Sequence, residues 1–113
     1  MSIRRLERDD WVGFCIHASR FSSGKQVDID VVARQIGFQP EARRLPLIGM
    51  SYDPKGDVLH LLVGTLSHFI RSPRELFVDE AALGLVSFQI IDADGVQQIV
   101  TLREPLLLPR HES

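Results

Sequence analysis

Cysteine is almost absent: the chain has one, Cys15. No intramolecular disulfide can form, and no set of thiolates can hold a zinc ion. Long apolar runs are also missing, and none approaches the roughly 18 residues that span a bilayer as a helix. Met1 to Asp10 is charged with no apolar stretch behind it, so no secretory leader is expected. Lysine is scarce, with two against eleven arginines. Excess charge of either sign is lacking too: the net charge is −2 and the isoelectric point about 6.0. A general polyanion binder would be basic, so nucleic acid is not the expected partner. The phosphate-loop, dinucleotide, zinc-protease and nucleophile-elbow motifs are all absent. The expectation is a cytoplasmic protein with no cofactor, no metal and no membrane partner.

What is present is an ordinary globular mixture. Of 113 residues, 44% are hydrophobic and 25% charged. That is the length of one domain, 1–113, able to bury a core without staples. Trp11, Phe14, Cys15 and Ala18 recur at the i, i+3, i+4, i+7 spacing of one helical stripe. Asp9 or Asp10 suits the positive end of that helix, and Gly24 its stop. A helix is expected over about 9–22.

Period-2 alternation follows. Val27, Ile29 and Val31 alternate with Asp28, Asp30 and Val32, giving a strand over about 26–36. Further strands are expected at about 44–52, 58–63, 75–79, 85–91 and 96–103. Asp53-Pro54-Lys55-Gly56-Asp57 reads as a turn, and Asp92-Ala93-Asp94-Gly95 as a hairpin turn. Leu66, Phe69 and Ile70 have the spacing of a helical turn that Ser72-Pro73 interrupts. The tail from 110 to 113 is expected to be loose. The fold class is α+β: one N-terminal amphipathic helix on a curved, mostly antiparallel sheet of five to six short strands.

Three groups of residues carry a resemblance. The first is Leu45-Pro46-Leu47-Ile48-Gly49 leading to Tyr52-Asp53-Pro54-Lys55. The second is His68-Phe69-Ile70-Arg71-Ser72-Pro73-Arg74-Glu75. The third is Asp92-Ala93-Asp94-Gly95 with Gln98-Ile99-Val100, closing on Leu102-Arg103-Glu104-Pro105-Leu106. In that order, and with Asp10-Trp11 before them, they resemble a family of small uncharacterised bacterial proteins known as a domain of unknown function. The resemblance covers nearly the whole chain and implies no reaction. Ser67 departs from the pattern, where the family carries an acidic residue before the histidine. An acid there would orient the imidazole.

The densest chemistry lies between His68 and Glu80. Arginine forks bind carboxylates and phosphates through paired hydrogen bonds. His68, Arg71, Arg74 and Glu75 are therefore the candidate ligand site, for an anionic small molecule, with His68 as the base if a reaction occurs. The plainer alternative pairs Arg71 and Arg74 with Glu75, Asp79 or Glu80 on a solvated edge. Asp92-x-Asp94-Gly95 resembles the start of a calcium loop, but Val96 and Arg103 stand where ligands belong. Asp53, Asp57, Asp92 and Asp94 could meet only if their turns share one end of the sheet. His60 and His68 could share a metal only if the chain folds back between them. Cys15 lies on the apolar stripe, and His17 points elsewhere, so no thiolate nucleophile is expected. Arg43 and Arg44, or Arg4, Arg5 and Arg8, could contact nucleic-acid phosphates. Leu106, Leu107 and Leu108 must be buried, either in the core or against a second copy. No catalytic residue is assigned. The reading is a non-catalytic binding or protein-interaction module, partnered by a second copy in a homodimer or by another protein. Its rivals are a small-molecule site using His68 with Arg71 and Arg74, and weak nucleic-acid binding through Arg43 and Arg44.

Overall fold

The structure, a computed structural model, describes residues 2–22 and 24–106. The order is β1 (Ser2–Arg5), a 3-10 turn (Arg8–Asp10), α1 (Trp11–Ser22), β2 (Gln26–Ala33), β3 (Gly37–Asp53), β4 (Val58–Val63), β5 (Leu66–Arg71), β6 (Pro73–Ala81), β7 (Gly84–Asp92) and β8 (Gln97–Leu106). It is α+β: one short helix and a sheet in which every strand pair is antiparallel. The strands follow one hydrogen-bonded order, β1-β6-β7-β8-β2-β3-β4-β5.

Eight strands stand among the described residues where five to six were expected, and the sheet is not strongly curved. Two strands account for the difference. β1 has four residues, all exposed, and pairs with β6 through its backbone, so no apolar pattern announces it. β5 holds Leu66, Phe69 and Ile70, whose helical spacing is accidental. Ile70 is buried and Phe69 is exposed, the alternation of a strand. Ser72-Pro73 turns one strand into the next. Ser72 takes the left-handed φ of 53° at that corner.

The change of direction expected from curvature is concentrated in β3. This strand pairs with β2 from Gly37 to Pro46, then with β4 from Leu47 to Asp53. Pro46, which has no N–H to give a ladder, sits at the hand-over. Its carbonyl accepts from Gly64 N–H at 2.8 Å. Beyond that point β3 has lost β2, and α1 takes its place. The Ser19 hydroxyl accepts from Met50 N–H and donates to Met50 C=O, both at 2.7 Å. Ser22 Oγ, fully buried, donates to Leu47 C=O at 3.3 Å, and Leu47 N–H donates to Lys25 C=O at 2.9 Å. A helix thus closes a strand edge with side-chain hydroxyls, satisfying main-chain groups that burial would leave stranded.

The core lies between the two wings. Val78, Phe88, Val100, Ile29 and Ala42 form one row across β6, β7, β8, β2 and β3, all buried. Leu59, Leu61 and Val63 of β4 face it from the other wing. The stripe of α1 fills the remainder. Phe14 meets Phe88 edge to face with centroids 5.5 Å apart, and Trp11 meets Tyr52 at 5.2 Å. Fully burying a side chain of this size contributes about 1.5–3 kcal/mol.

Ser19→Ala removes the hydroxyl that satisfies both polar groups of Met50. It should cost about 1–3 kcal/mol in a urea melt, more than an exposed helix serine would. A change within experimental error would mean water replaces the hydroxyl at no cost.

Candidate functional site

His68 occupies the inner face of β5, in line with the buried Leu61 of β4. Its Nε2 lies 2.8 Å from Oε1 of Gln98, an amide only 7% exposed. That bond joins β5 to β8, four places away in the strand order, and fastens the β3-β4-β5 wing over the inner face. Arg71 is three residues on, so it projects from the opposite face of β5 and is exposed. Arg74 is exposed at a register shift in β6, between Pro73 and Glu75. Glu75 is half-buried and approaches Arg5 at 3.8 Å. Arg71 and Arg74 make no ion pair among the described residues. Of the three acids expected to take them, Glu75 approaches Arg5, Glu80 pairs with Arg4 at 2.9 Å, and Asp79 makes no ion pair among the described residues. His68 is thus set apart from the two arginines, which flank the Ser72 corner.

A second polar centre forms where distant segments meet. Arg8 Nη1 donates to the Tyr52 hydroxyl at 3.0 Å and to Asp57 Oδ1 at 3.3 Å, while Nη2 donates to Pro73 C=O at 3.0 Å. Its guanidinium also lies 4.4 Å from the centroid of the Trp11 ring. Tyr52 donates to Asp57 at 2.7 Å. Burial, then the hydrogen bond and charge of Asp57, push the Tyr52 phenol above its ordinary value against the opposing pull of Arg8. It therefore stays protonated as a donor. A groove of about 490 Å³ opens beside this cluster, lined by Arg8, Asp9, Val12, Tyr52, Pro54 and Asp57. From the sequence, Arg8 belongs with the basic N-terminal residues Arg4 and Arg5. The signal available was Trp11 three positions on, since i and i+3 share a helical face.

The cluster holds a strained corner. Asp57 and Ser72 both have left-handed φ, 53° each, and Ser72 N–H donates to Asp57 C=O at 2.9 Å. Non-glycine residues in this region cost roughly 1–2 kcal/mol. Ala93 N–H donates to Ser72 C=O at 3.0 Å, so the two acidic turns do share one end of the sheet. Two of the carboxylates accept from N–H groups of their own turns. Asp53 accepts from Lys55 N–H at 3.0 Å, and Asp92 accepts from Asp94 and Val96 N–H at 2.9 and 3.0 Å. Among the described residues no three His, Cys, Asp or Glu side chains are placed to hold a metal ion.

The remaining candidates occupy separate places. Arg43 pairs with Asp30, and Arg103 with Asp28 at 2.6 Å. Arg44 has a left-handed φ of 54° at a bulge, with its N–H given to Asp28 at 2.9 Å. Arg43 is thus already matched by a carboxylate. Burial alone would raise the Asp28 acid. The Arg44 N–H and the Arg103 and Arg43 guanidiniums outweigh it, and the carboxyl titrates below its ordinary value. Cys15 is 1% exposed, and burial pushes its thiol up to about 12. Leu106 is 1% exposed and enters this chain's own core, opposite Leu85. Leu107, Leu108 and the tail from 110 lie outside the described residues. On the outer face of the β4-β5 hairpin, Phe69 is 55% exposed and stacks on His60 with centroids 4.4 Å apart. His60 Nε2 is shielded there without a hydrogen-bond partner.

These features define an α+β protein whose helix serves as an edge of its antiparallel sheet. The chain belongs to the family of unknown function DUF5335, which matches residues 2–111. It is similar to an uncharacterized protein of Aquifex aeolicus (strain VF5), 29% identical over 110 residues, covering 96% of this chain and 99% of that one. No solved structure matches it. No helix among the described residues is long and apolar enough to cross a membrane.

Asp28→Asn should lower stability by about 1 kcal/mol at neutral pH. A carboxyl whose folded value is depressed stabilises above its unfolded value and loses that contribution as pH falls through the folded one. The gap between wild type and variant should therefore close in acid, as urea melts at several pH values would show. A gap independent of pH would assign the loss to shape rather than charge. Separately, a thiol reagent at pH 8 should leave Cys15 unlabelled in the native protein and label it fully in urea. Rapid native labelling would contradict its burial.

Proposed function

We propose that the protein is a non-catalytic protein-interaction module of the cytoplasm, offering the free edge of β5 to an extended segment of a partner. One observation carries this reading: among the free strand edges of the described residues, only that of β5 is unguarded. The β1 edge is short and charged, with Arg4 and Arg5 paired to Glu80 and Glu75. The free edge of β3 carries Pro40, Glu41, Arg43 and the Arg44 bulge. Proline, charge and bulges are the devices that stop a strand edge from recruiting another chain. Between Leu66 and Ile70, β5 has none of them.

The hairpin register says which groups are on offer. Gly64 and Thr65 form a two-residue loop, so Val63 and Leu66 are a hydrogen-bonded pair. The N–H and C=O groups of Leu66, His68 and Ile70 then point toward β4. Those of Ser67, Phe69 and Arg71 point outward. A partner strand would bond to these three residues, and exposed Phe69 would supply side-chain contact.

A second reading is favoured by the placement of Arg71 and Arg74. They flank the Ser72-Pro73 corner with no carboxylate partner among the described residues, which suits an anionic small molecule. His68 and Glu75 would stand beside that site rather than within it.

Ser67→Pro removes an outward N–H without breaking a β4-β5 ladder bond. Displayed eight-residue peptides selected on the protein should enrich in alternating β-branched sequences, and Ser67→Pro should abolish their binding while leaving the far-ultraviolet spectrum unchanged. Absence of enrichment, or enrichment indifferent to the proline, would overturn the β5 reading.

A further inference from the structure

The wing formed by β1, β6, β7, β8, β2 and the first half of β3 has two faces. The inner one is the core. On the outer one, among the described residues, no other element is packed. The register places its side chains in rows. One row runs Ile3, Asp79, Ser87, Thr101, Asp28. The next runs Arg5, Phe77, Gln89, Ile99, Asp30, and the third Glu75, Ile91, Gln97, Val32, Phe38. Ile3, Phe77, Ile91, Ile99, Val32 and Phe38 therefore form an apolar band that crosses the sheet from corner to corner. Its two ends are the most open, Ile3 at 67% and Phe38 at 60% exposed.

We infer that two copies of the chain pack face to face through this band. The β5 edge belongs to the other wing, and neither contact depends on the other. Two features select a second copy as the occupant. The first is charge. Arg5 with Glu75 lies on one side of the band, and Asp28 and Asp30 with Arg43 and Arg103 on the other. A two-fold axis along the band lays the first flank of one copy against the second flank of its partner. Each flank holds both signs, paired except for Asp79, whose shielded Oδ1 has no hydrogen-bond partner among the described residues, and a strongly acidic or basic partner would find no matching field. An isologous contact needs this self-complementarity.

The second feature is area. Six strands about 4.8 Å apart and about eight residues long, at about 3.3 Å each, make a face of roughly 29 by 26 Å, or about 750 Å². A stable protein interface takes about 800 Å² from each partner. The face is thus of the size that one copy of itself would cover.

Light scattering and sedimentation of the full chain test the inference. At tens of micromolar the protein should run at about twice its 12.8 kDa chain mass. Ile99→Glu at the centre of the band should return it to a single chain. Phe38→Asp, at a position exposed enough to fold regardless, should weaken the dimer at least tenfold. Phe69→Glu, on the β5 hairpin, should leave it intact. A protein that stays monomeric at several hundred micromolar overturns the inference. So does a dimer that survives both band variants, whether Phe69→Glu or Leu107→Asp then dissolves it. In any of these cases the peptide selection at β5 is unaffected and is decided by its own proline variant.

Discussion

The hand-over in β3 is the constraint on which the rest depends. A strand of 17 residues cannot keep one neighbour when that neighbour, β2, ends beside Pro46. Past that residue its main chain needs new partners on one side. The helix supplies them through Ser19 and Ser22, and in doing so fixes its own position and rotation. Once the helix is set, Trp11 and Phe14 can only point at Tyr52 and Phe88. The hydrophobic contacts fill a geometry that a few hydroxyl bonds define.

Polar groups elsewhere serve the same end of joining segments far apart in sequence. The His68–Gln98 bond holds the far strand of one wing against the centre of the other. Arg8 ties the entry of the helix to the turn before β4 and to the corner before β6. These side chains are of the types that form active sites, yet here each meets a structural partner. With His68 and Arg8 engaged in this way, the proposed contacts at β5 and at the outer band draw on the main-chain edge and the apolar surface of the sheet.

Parts of this were legible in the sequence and parts were not, for identifiable reasons. The stripe Trp11, Phe14, Cys15, Ala18 is buried as its spacing required, because one helical face meets one continuous core. The Asp92–Gly95 turn is a tight hairpin with Gly95 at a φ of 80°. The first half of β3 gave little sign of itself. Of Phe38 to Arg44 only Ala42 is buried, since an edge strand at the rim presents neither face deeply to the core. β5 misled through Leu66, Phe69 and Ile70, where exposure of Phe69 breaks the helical logic. The Arg8 centre was invisible because its partners stand 44 to 65 positions away. No local pattern encodes a meeting of that kind.

The strand order also determines when the fold can exist. β1 finds its partner only in β6, and β2 lies between β3 and β8, so Ser2 meets Glu80 and Val27 meets Leu102. Contacts so distant in sequence demand closure of long loops before any reward is gained, which slows folding. During synthesis the β2-β3 and β4-β5 hairpins can form early, but β1 must wait for β6 and the second edge of β2 for β8. Until β8 arrives, one edge of β2 lacks the strand that completes it, and the sheet stays in two separate pieces.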